Sequence, residues 1–276
     1  VKIGIVGLGA VGTAVLQGMR EHHNVSGYDI DGRGKWVSLL RTGAVFVCVP
    51  TDALPNGELN IKIVEEVVSR LANDEYKGLI IVKSTLQPGV MDKMHASHPD
   101  CKLVYMPEFL REKDAVEWFQ EPDRLVASGN HHLVSEAFEL FTWVPEDIPR
   151  MKMSFLEAEI GKLAHNAYIA TKVTFTCEVE RICNSRGANS ANVMEVVWRD
   201  RRVGNSAHLT PGLGGFSGKC VPKDTAALAT IDKDQSSLLH QLIERGSHDE
   251  ILRRVTRLLD WKEAELFVEG VESDGC

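Results

Sequence analysis

The feature that most narrows the fold lies at the start of the chain. Gly7-Leu8-Gly9-Ala10-Val11-Gly12 follows directly on the β-rich run Ile3-Gly4-Ile5-Val6 and opens a helical pattern, and Asp29 closes the next β-rich run. Alone, G-x-G-x-x-G is a weak signal. Between a strand and a helix, with a carboxylate ending the following strand, it becomes the fingerprint of a dinucleotide-binding βαβ unit. Gly7 permits the tight turn, Gly9 lets the backbone approach a pyrophosphate, and Gly12 allows the helix to pack closely on the strand. Leu8, Ala10 and Val11 complete the loop, and the helix N-terminus behind it favours an anion. Asp29 is expected to accept hydrogen bonds from the adenosine ribose hydroxyls and to repel a 2′-phosphate, which points to NAD over NADP. Lys35, shortly after it, is a further candidate contact for the cofactor. A Gly-rich turn without a ligand is the competing explanation, and the strand–helix–strand context disfavours it.

The same alternation continues to about residue 145. Strands are expected at 2–6, 24–28, 44–49, 79–83, 102–105 and 124–128, and helices near 10–20, 35–41, 61–72 and 132–140, where apolar residues recur at helical spacing. Beyond Pro149 the pattern changes. One long helix is expected over about 154–184, another near 189–199, then a Gly-rich loop over 204–218, short helices, and a final strand at 264–268. The expected fold class is α/β, with a Rossmann-like parallel-sheet domain over 1–150 and an all-helical second domain over 151–276.

A chain of 276 residues with 43% hydrophobic content supports two cores. Its formal net charge of −8 argues against nucleic acid as a partner, because affinity for phosphate backbones comes from clustered Lys and Arg. No apolar run is long enough to cross a bilayer and the N-terminal segment has no secretory pattern, so a cytoplasmic protein without membrane partners is expected. The six cysteines form no C-x-x-C pair, so reduced thiols are expected. His22-His23 and His131-His132 have no accompanying ligands at metal spacing, and no metal is expected.

Further segments end expected strands, at the sheet edge where open α/β folds bind ligands. They are Val47-Cys48-Val49-Pro50-Thr51-Asp52, Lys83-Ser84-Thr85-Leu86-Gln87-Pro88-Gly89, and Met106-Pro107-Glu108-Phe109-Leu110-Arg111-Glu112. Later come Ala158-Glu159-Ile160-Gly161-Lys162 with Asn166 on the long helix, and Gly212-Leu213-Gly214-Gly215-Phe216-Ser217-Gly218-Lys219-Cys220-Val221-Pro222-Lys223-Asp224. This ordered set resembles the UDP-glucose and GDP-mannose 6-dehydrogenase family, from residue 1 to about 230. The C-x-x-K-D ending is its most specific part.

The resemblance implies an NAD-dependent oxidoreductase that converts the C6 alcohol of a nucleotide sugar to a carboxylate by two hydride transfers, through a thiohemiacetal and a thioester on Cys220. A cysteine suits that task, since sulfur adds readily to an aldehyde and the adduct can surrender a second hydride. Lys162 and Asn166, at i and i+4 on one helix face, would hold substrate and a developing oxyanion. Thr85, Glu108 and Asp224 match positions that arrange water. Glu112 matches a second carboxylate beside substrate and nicotinamide, and Glu108 and Glu112 are unranked as the base. Val49, Pro50, Thr51 and Ser84 join Thr85 as cofactor contacts. Phe109, Leu110 and Arg111, with Phe216 and Gly218, fall to the substrate. Arg202 matches an arginine that reaches across a homodimer, against the alternative of a solvated basic cluster over 199–202.

The chain departs from the family pattern in places. Too few residues follow Asp224 for the family's third, nucleotide-binding domain, so a reduced version or a fragment is expected. The segment between Asp29 and Ala44 is too short for the usual extra strand and helix. Met106 stands for asparagine, Lys113 for glycine and Ser217 for glycine, and the loop carries one extra residue near Gly215. Two other functions compete: a β-hydroxyacid-type dehydrogenase making one hydride transfer with Lys162 and Asn166, and an NAD-binding regulatory protein without turnover. The first needs no cysteine, and the joint presence of Thr85, Glu108, Lys162, Asn166, Cys220 and Asp224 weighs against the second.

Overall fold

The computed structural model describes residues 1–212, 215–232, 234 and 237–246. Leu213, Gly214, Cys276 and the strand expected at 264–268 lie outside the described residues. The chain divides into two compact units, Val1–Leu163 and Ala164–Cys276.

The first unit is a Rossmann-like, mostly parallel sheet of seven strands in the order β2-β1-β3-β4-β5-β6-β7. The strands are β1 (Lys2–Val6), β2 (Asn24–Tyr28), β3 (Ala44–Val47), β4 (Leu79–Val82), β5 (Lys102–Tyr105), β6 (Leu125–Gly129) and β7 (Arg150–Met153). Only the β5–β6 pairing is antiparallel. Helices α1 (Ala10–Arg20), α2 (Trp36–Leu39), α3 (Lys62–Asn73), α4 (Val90–Ser97), α5 (Ala115–Gln120) and α6 (His131–Glu139) connect them. Strands β3 and β4, AVFV and LIIV, are buried at every position, as expected of central strands with both faces covered. Because side chains alternate across a strand, Ile5, Phe46, Ile81 and Val104 enter one hydrophobic cluster. Val45, Val47, Ile80 and Val82 enter the other.

Register is what builds the site. Val6 pairs with Tyr28 and Val47, Val47 with Val82, and Val82 with Tyr105. The loops that begin at Gly7, Cys48, Lys83 and Met106 therefore leave the sheet side by side along one edge.

Several expectations need correction. Strands β3 and β4 end at Val47 and Val82, short of the expected 49 and 83, although the Cys48 and Lys83 amides still donate to the Val6 and Val47 carbonyls at 2.8 and 2.9 Å. Helices α4 and α5 and strand β7 were not expected. Strand β7 has the sequence RMKM, half-exposed at the sheet edge and without apolar alternation. Its pairing with β6 carries the sheet past the expected domain boundary at 150.

Helix α7 (Phe155–Arg186) starts in the first unit and ends in the second. It opens with a capping box: the Ser154 amide donates to Glu157 Oε2 at 2.8 Å and the Glu157 amide to Ser154 Oγ at 3.3 Å. The second unit adds α8 (Ser190–Trp198), α9 (Val221–Ala229) and a helical segment at 238–246. Among the described residues no helix is long and apolar enough to cross a membrane.

Candidate functional site

In the first unit the Gly7–Gly12 loop has the form its sequence demands. Gly7 has φ +86°, and a side chain there would meet the Cys48 carbonyl oxygen at 2.6 Å. A Cβ on Gly12 would lie 1.7 Å from the Gly7 carbonyl oxygen, so the first turn of α1 rests directly on the loop. A Cβ on Gly9 would meet nothing within 4 Å. Gly9 is the N-cap of α1 and no side chain caps that terminus, nor is any acidic residue present in the first turn. The result is an uncapped helix N-terminus behind an open glycine, a fit for a pyrophosphate. Asp29 is joined to the loop by the Leu8 amide, which donates to its Oδ2 at 2.6 Å. Arg33 lies 3.6 Å from the same oxygen but is held by Asp31 at 2.7 Å. Lys35 is exposed at the start of α2.

Beside this loop, Val49 and Thr51 are buried and Pro50 is exposed. The buried Ser84 hydroxyl donates to the Val49 carbonyl at 2.7 Å, tying the end of β4 to the end of β3, and Thr85 follows half-buried. Lys83 is buried and its Nζ lies 3.0 Å from Glu108 Oε2. Glu108 Oε1 accepts from the Phe109 and Leu110 amides at 2.9 and 3.1 Å. The Phe109 ring lies near two cations, Arg124 at 4.3 Å and Lys162 Nζ at 5.2 Å. Arg111 and Glu112 are exposed, the latter on a 3-10 turn, Glu112–Asp114. Buried Cys48 is pushed up to about 12, mainly by desolvation, and is an inert thiol.

Lys162 is buried on α7, one turn beyond the fully buried Glu159. The Glu159 carboxylate accepts from the Gly89 and Met91 amides at 2.6 and 2.7 Å, so a residue of α7 caps α4. Burial raises its pKa, opposed by those amides. Glu159 thereby ties the helix that carries Lys162 to the end of the Thr85 segment.

In the second unit Cys220 is exposed at the N-cap of α9, with Pro222 in the first turn. One turn later Asp224 is fully buried and donates its amide to the Cys220 carbonyl at 2.9 Å. Its carboxylate accepts from Asn166 Nδ2 at 2.6 Å and lies 2.9 Å from Lys223 Nζ. The structure thus joins three candidates in one network: Asn166, Asp224 and, through the backbone of α9, Cys220. Gly218 has φ +88° with open space where a side chain would be. Phe216, a substrate candidate from the sequence, is buried with Ala170, Val173 and Cys177, where it packs the core. Arg202 is exposed and its guanidinium is bound to Asp200 at 2.7 Å, which raises its pKa.

Lys83, Glu159 and Arg124 are site-building residues that sequence reasoning did not assign. The first two stand inside the quoted segments, and a lysine closing an all-apolar strand was the available signal for Lys83.

Comparison with known proteins adds an independent line. Residues 36–143 match the NAD binding domain of the UDP-glucose/GDP-mannose dehydrogenase family, and residues 156–249 match that family's central domain. The Gly7–Gly12 loop precedes the first matched segment, so its assignment rests on its own geometry. The chain is 34% identical over 196 residues to UDP-glucose 6-dehydrogenase of Rickettsia typhi, covering 68% of this chain and 44% of that protein. It is 31% identical over 215 residues to UDP-glucose 6-dehydrogenase AglM of Haloferax volcanii, covering 71% of this chain and 50% of that protein. It spans about half the length of these curated relatives. The solved structure of a UDP-glucose dehydrogenase from Pyrobaculum islandicum superposes with a TM-score of 0.79 at 26% identity, over 95% of this chain and 71% of that one.

Proposed function

Because this chain belongs to the UDP-glucose/GDP-mannose dehydrogenase family, with its NAD-binding and central domains, we propose that it oxidises the C6 alcohol of a UDP-glucose-like nucleotide sugar to the carboxylate. The observation that carries this is Cys220: an exposed thiol at the start of a helix, one turn from a buried carboxylate held by Asn166 and Lys223.

NAD, when bound, accepts a hydride. The Gly7–Gly12 loop and the start of α1 would hold its pyrophosphate, Asp29 its ribose, and the Val49–Thr51 and Ser84–Thr85 segments would flank it. Removal of one hydride and one proton from the alcohol leaves an aldehyde. The Cys220 sulfur bonds to the aldehyde carbon, and Lys162 and Asn166 stabilise the oxyanion. Loss of a second hydride gives a thioester on Cys220. Water then attacks with Glu108 or Glu112 as base, the C–S bond breaks, and the carboxylate leaves. Each sugar oxidised gives up two hydrides.

In the same proposal the first unit is the NAD-binding domain and the helical residues beyond it form a catalytic and dimerisation domain of a cytoplasmic homodimer. Tyr168, Phe175 and Ile182 support pairing through α7: they recur at heptad spacing and stay 64%, 47% and 62% exposed. Arg202 would act on the partner's site.

The test is to incubate the protein with NAD and a panel of UDP-, GDP- and TDP-sugars, following reduced nicotinamide and identifying products by mass. A sugar acid with two NAD reduced per turnover is expected, and Cys220→Ala should not form it. Acid produced by Cys220→Ala at the parental rate would overturn the covalent route in favour of a single hydride transfer at Lys162 and Asn166.

A further inference from the structure

Lys83 leaves β4 where the chain turns out of the sheet, and the next strand turns out beside it, the Met106 amide donating to the Val82 carbonyl at 2.9 Å. Instead of reaching water, the Lys83 side chain stays buried, donates to the Met106 carbonyl at 3.2 Å and pairs with Glu108 at 3.0 Å. A buried ammonium is tolerated when an anion compensates it, so each member of this pair needs the other. Among the described residues, three neighbours of the pair do not supply that compensation. Cys48, at the end of β3, is a neutral thiol, the α5 contact is the Phe119 ring, 5.9 Å from Lys83 Nζ, and Arg124, which lines the same cleft, is already matched by Asp123.

A carboxylate offers about four acceptor sites. On Glu108 the Lys83 ammonium lies against one oxygen and the Phe109 and Leu110 amides occupy the other. Little freedom is left in where the carboxylate can point. We propose that Lys83 is the positioning residue for Glu108, fixing the direction in which that carboxylate meets the water that hydrolyses the Cys220 thioester. This rests on the function proposed above. In that step the water oxygen bonds to the acyl carbon, the C–S bond breaks, sulfur leaves as thiolate, and the water proton passes to Glu108. Lys83 contributes no atom to the reaction; it acts through Glu108.

Acting through another residue leaves a mark that general damage to the fold does not: the two substitutions fail to multiply. The experiment compares the parent, Lys83→Met, Glu108→Gln and the double variant in single turnover with NAD and UDP-glucose, with quenched mass spectrometry following the acyl adduct on Cys220. Lys83→Met should slow adduct decay by about a hundredfold, the scale of general-base assistance, while the rate of adduct formation and the calorimetric affinity for NAD stay within about twofold. The double variant should decay no more slowly than Glu108→Gln alone, and Lys83→Arg should recover part of the loss. If Lys83→Met does not fold, the double variant, which removes both charges together, decides by its comparison with Glu108→Gln. A double variant slowed by the product of the two single effects, or a Lys83→Met protein weakened equally in NAD binding and both chemical steps, would overturn the proposal. A parent that forms neither adduct nor acid overturns the functional proposal and this one with it; a parent that forms both while the effects multiply overturns this one alone.

Discussion

The two units hold their candidate chemistry in different ways. In the first, the register of a parallel sheet brings four loops out along one edge, and backbone geometry does most of the shaping, as in the turn at Gly7 and the closeness of Gly12 to it. In the second, the exposed Cys220 stands over a side-chain network, Asn166–Asp224–Lys223, that joins residues far apart in sequence. Sheet edges tolerate local change because neighbouring loops keep their anchors. A buried polar network fails as a whole, because losing one member leaves the others unsatisfied.

The sharpest way to break that comparison is at Asp224. Asp224→Ala should lower stability by about 3–5 kcal/mol, the scale for removing one partner of a buried charged pair. Asp224→Asn keeps an acceptor for Asn166 and should cost clearly less. Urea unfolding followed by circular dichroism reads both. Equal losses would mean that the network is not what holds α9 against α7.

The glycine loop should give smaller and separable effects. Gly12→Ala places a methyl 1.7 Å from the Gly7 carbonyl oxygen, against backbone that cannot swing aside. A loss of about 1–3 kcal/mol is expected, the usual scale of overpacking. Gly9→Ala meets open space and should change stability by less than about 0.5 kcal/mol. NAD affinity should fall in both, since the Gly9 methyl would project where the pyrophosphate approaches. Thermal unfolding beside calorimetric titration with NAD separates the packing glycine from the contact glycine. A Gly9→Ala protein that binds NAD as the parent does would remove the loop from the cofactor site.

What was legible in the sequence follows the same division. Strand β1, the glycine loop, α1 and β2 are local patterns, and each was placed within the observed bounds because periodicity and glycine position depend on near neighbours alone. Helix α4 escaped notice because it is short, follows Pro88-Gly89, and takes its cap from Glu159 on a distant helix. Strand β7 escaped because an edge strand with Arg150 and Lys152 lacks the apolar pattern of the central strands. At the site, the motif segments named the neighbourhoods but not the partners. The pairing of Lys83 with Glu108, like the burial of Phe216 against Ala170 and Val173, is set by tertiary contacts that no local spacing encodes.

The finest distinction between the units is carried by one cysteine from each. Cys48 directly follows β3 in the first unit, and burial raises its pKa from an ordinary 9.0 to about 12, outweighing the nearby Lys83 charge that lowers it. Its folded-state pKa is thus above its unfolded one. The stability of keeping that thiol neutral is full below the unfolded value and is lost as pH rises from about 9 toward 12. Cys220 is exposed on the second unit. Only thiolate reacts with iodoacetamide, and at pH 8 a thiol titrating near 12 is ionised in about one molecule in ten thousand. Peptide mapping after brief alkylation at pH 8 should therefore find the label on Cys220, with Cys48 modified only after urea is added. Alkylation of Cys48 in the folded protein as fast as Cys220 would show that the end of β3 opens to solvent, and the contrast between a sealed sheet edge and an exposed nucleophile would fail at its first unit.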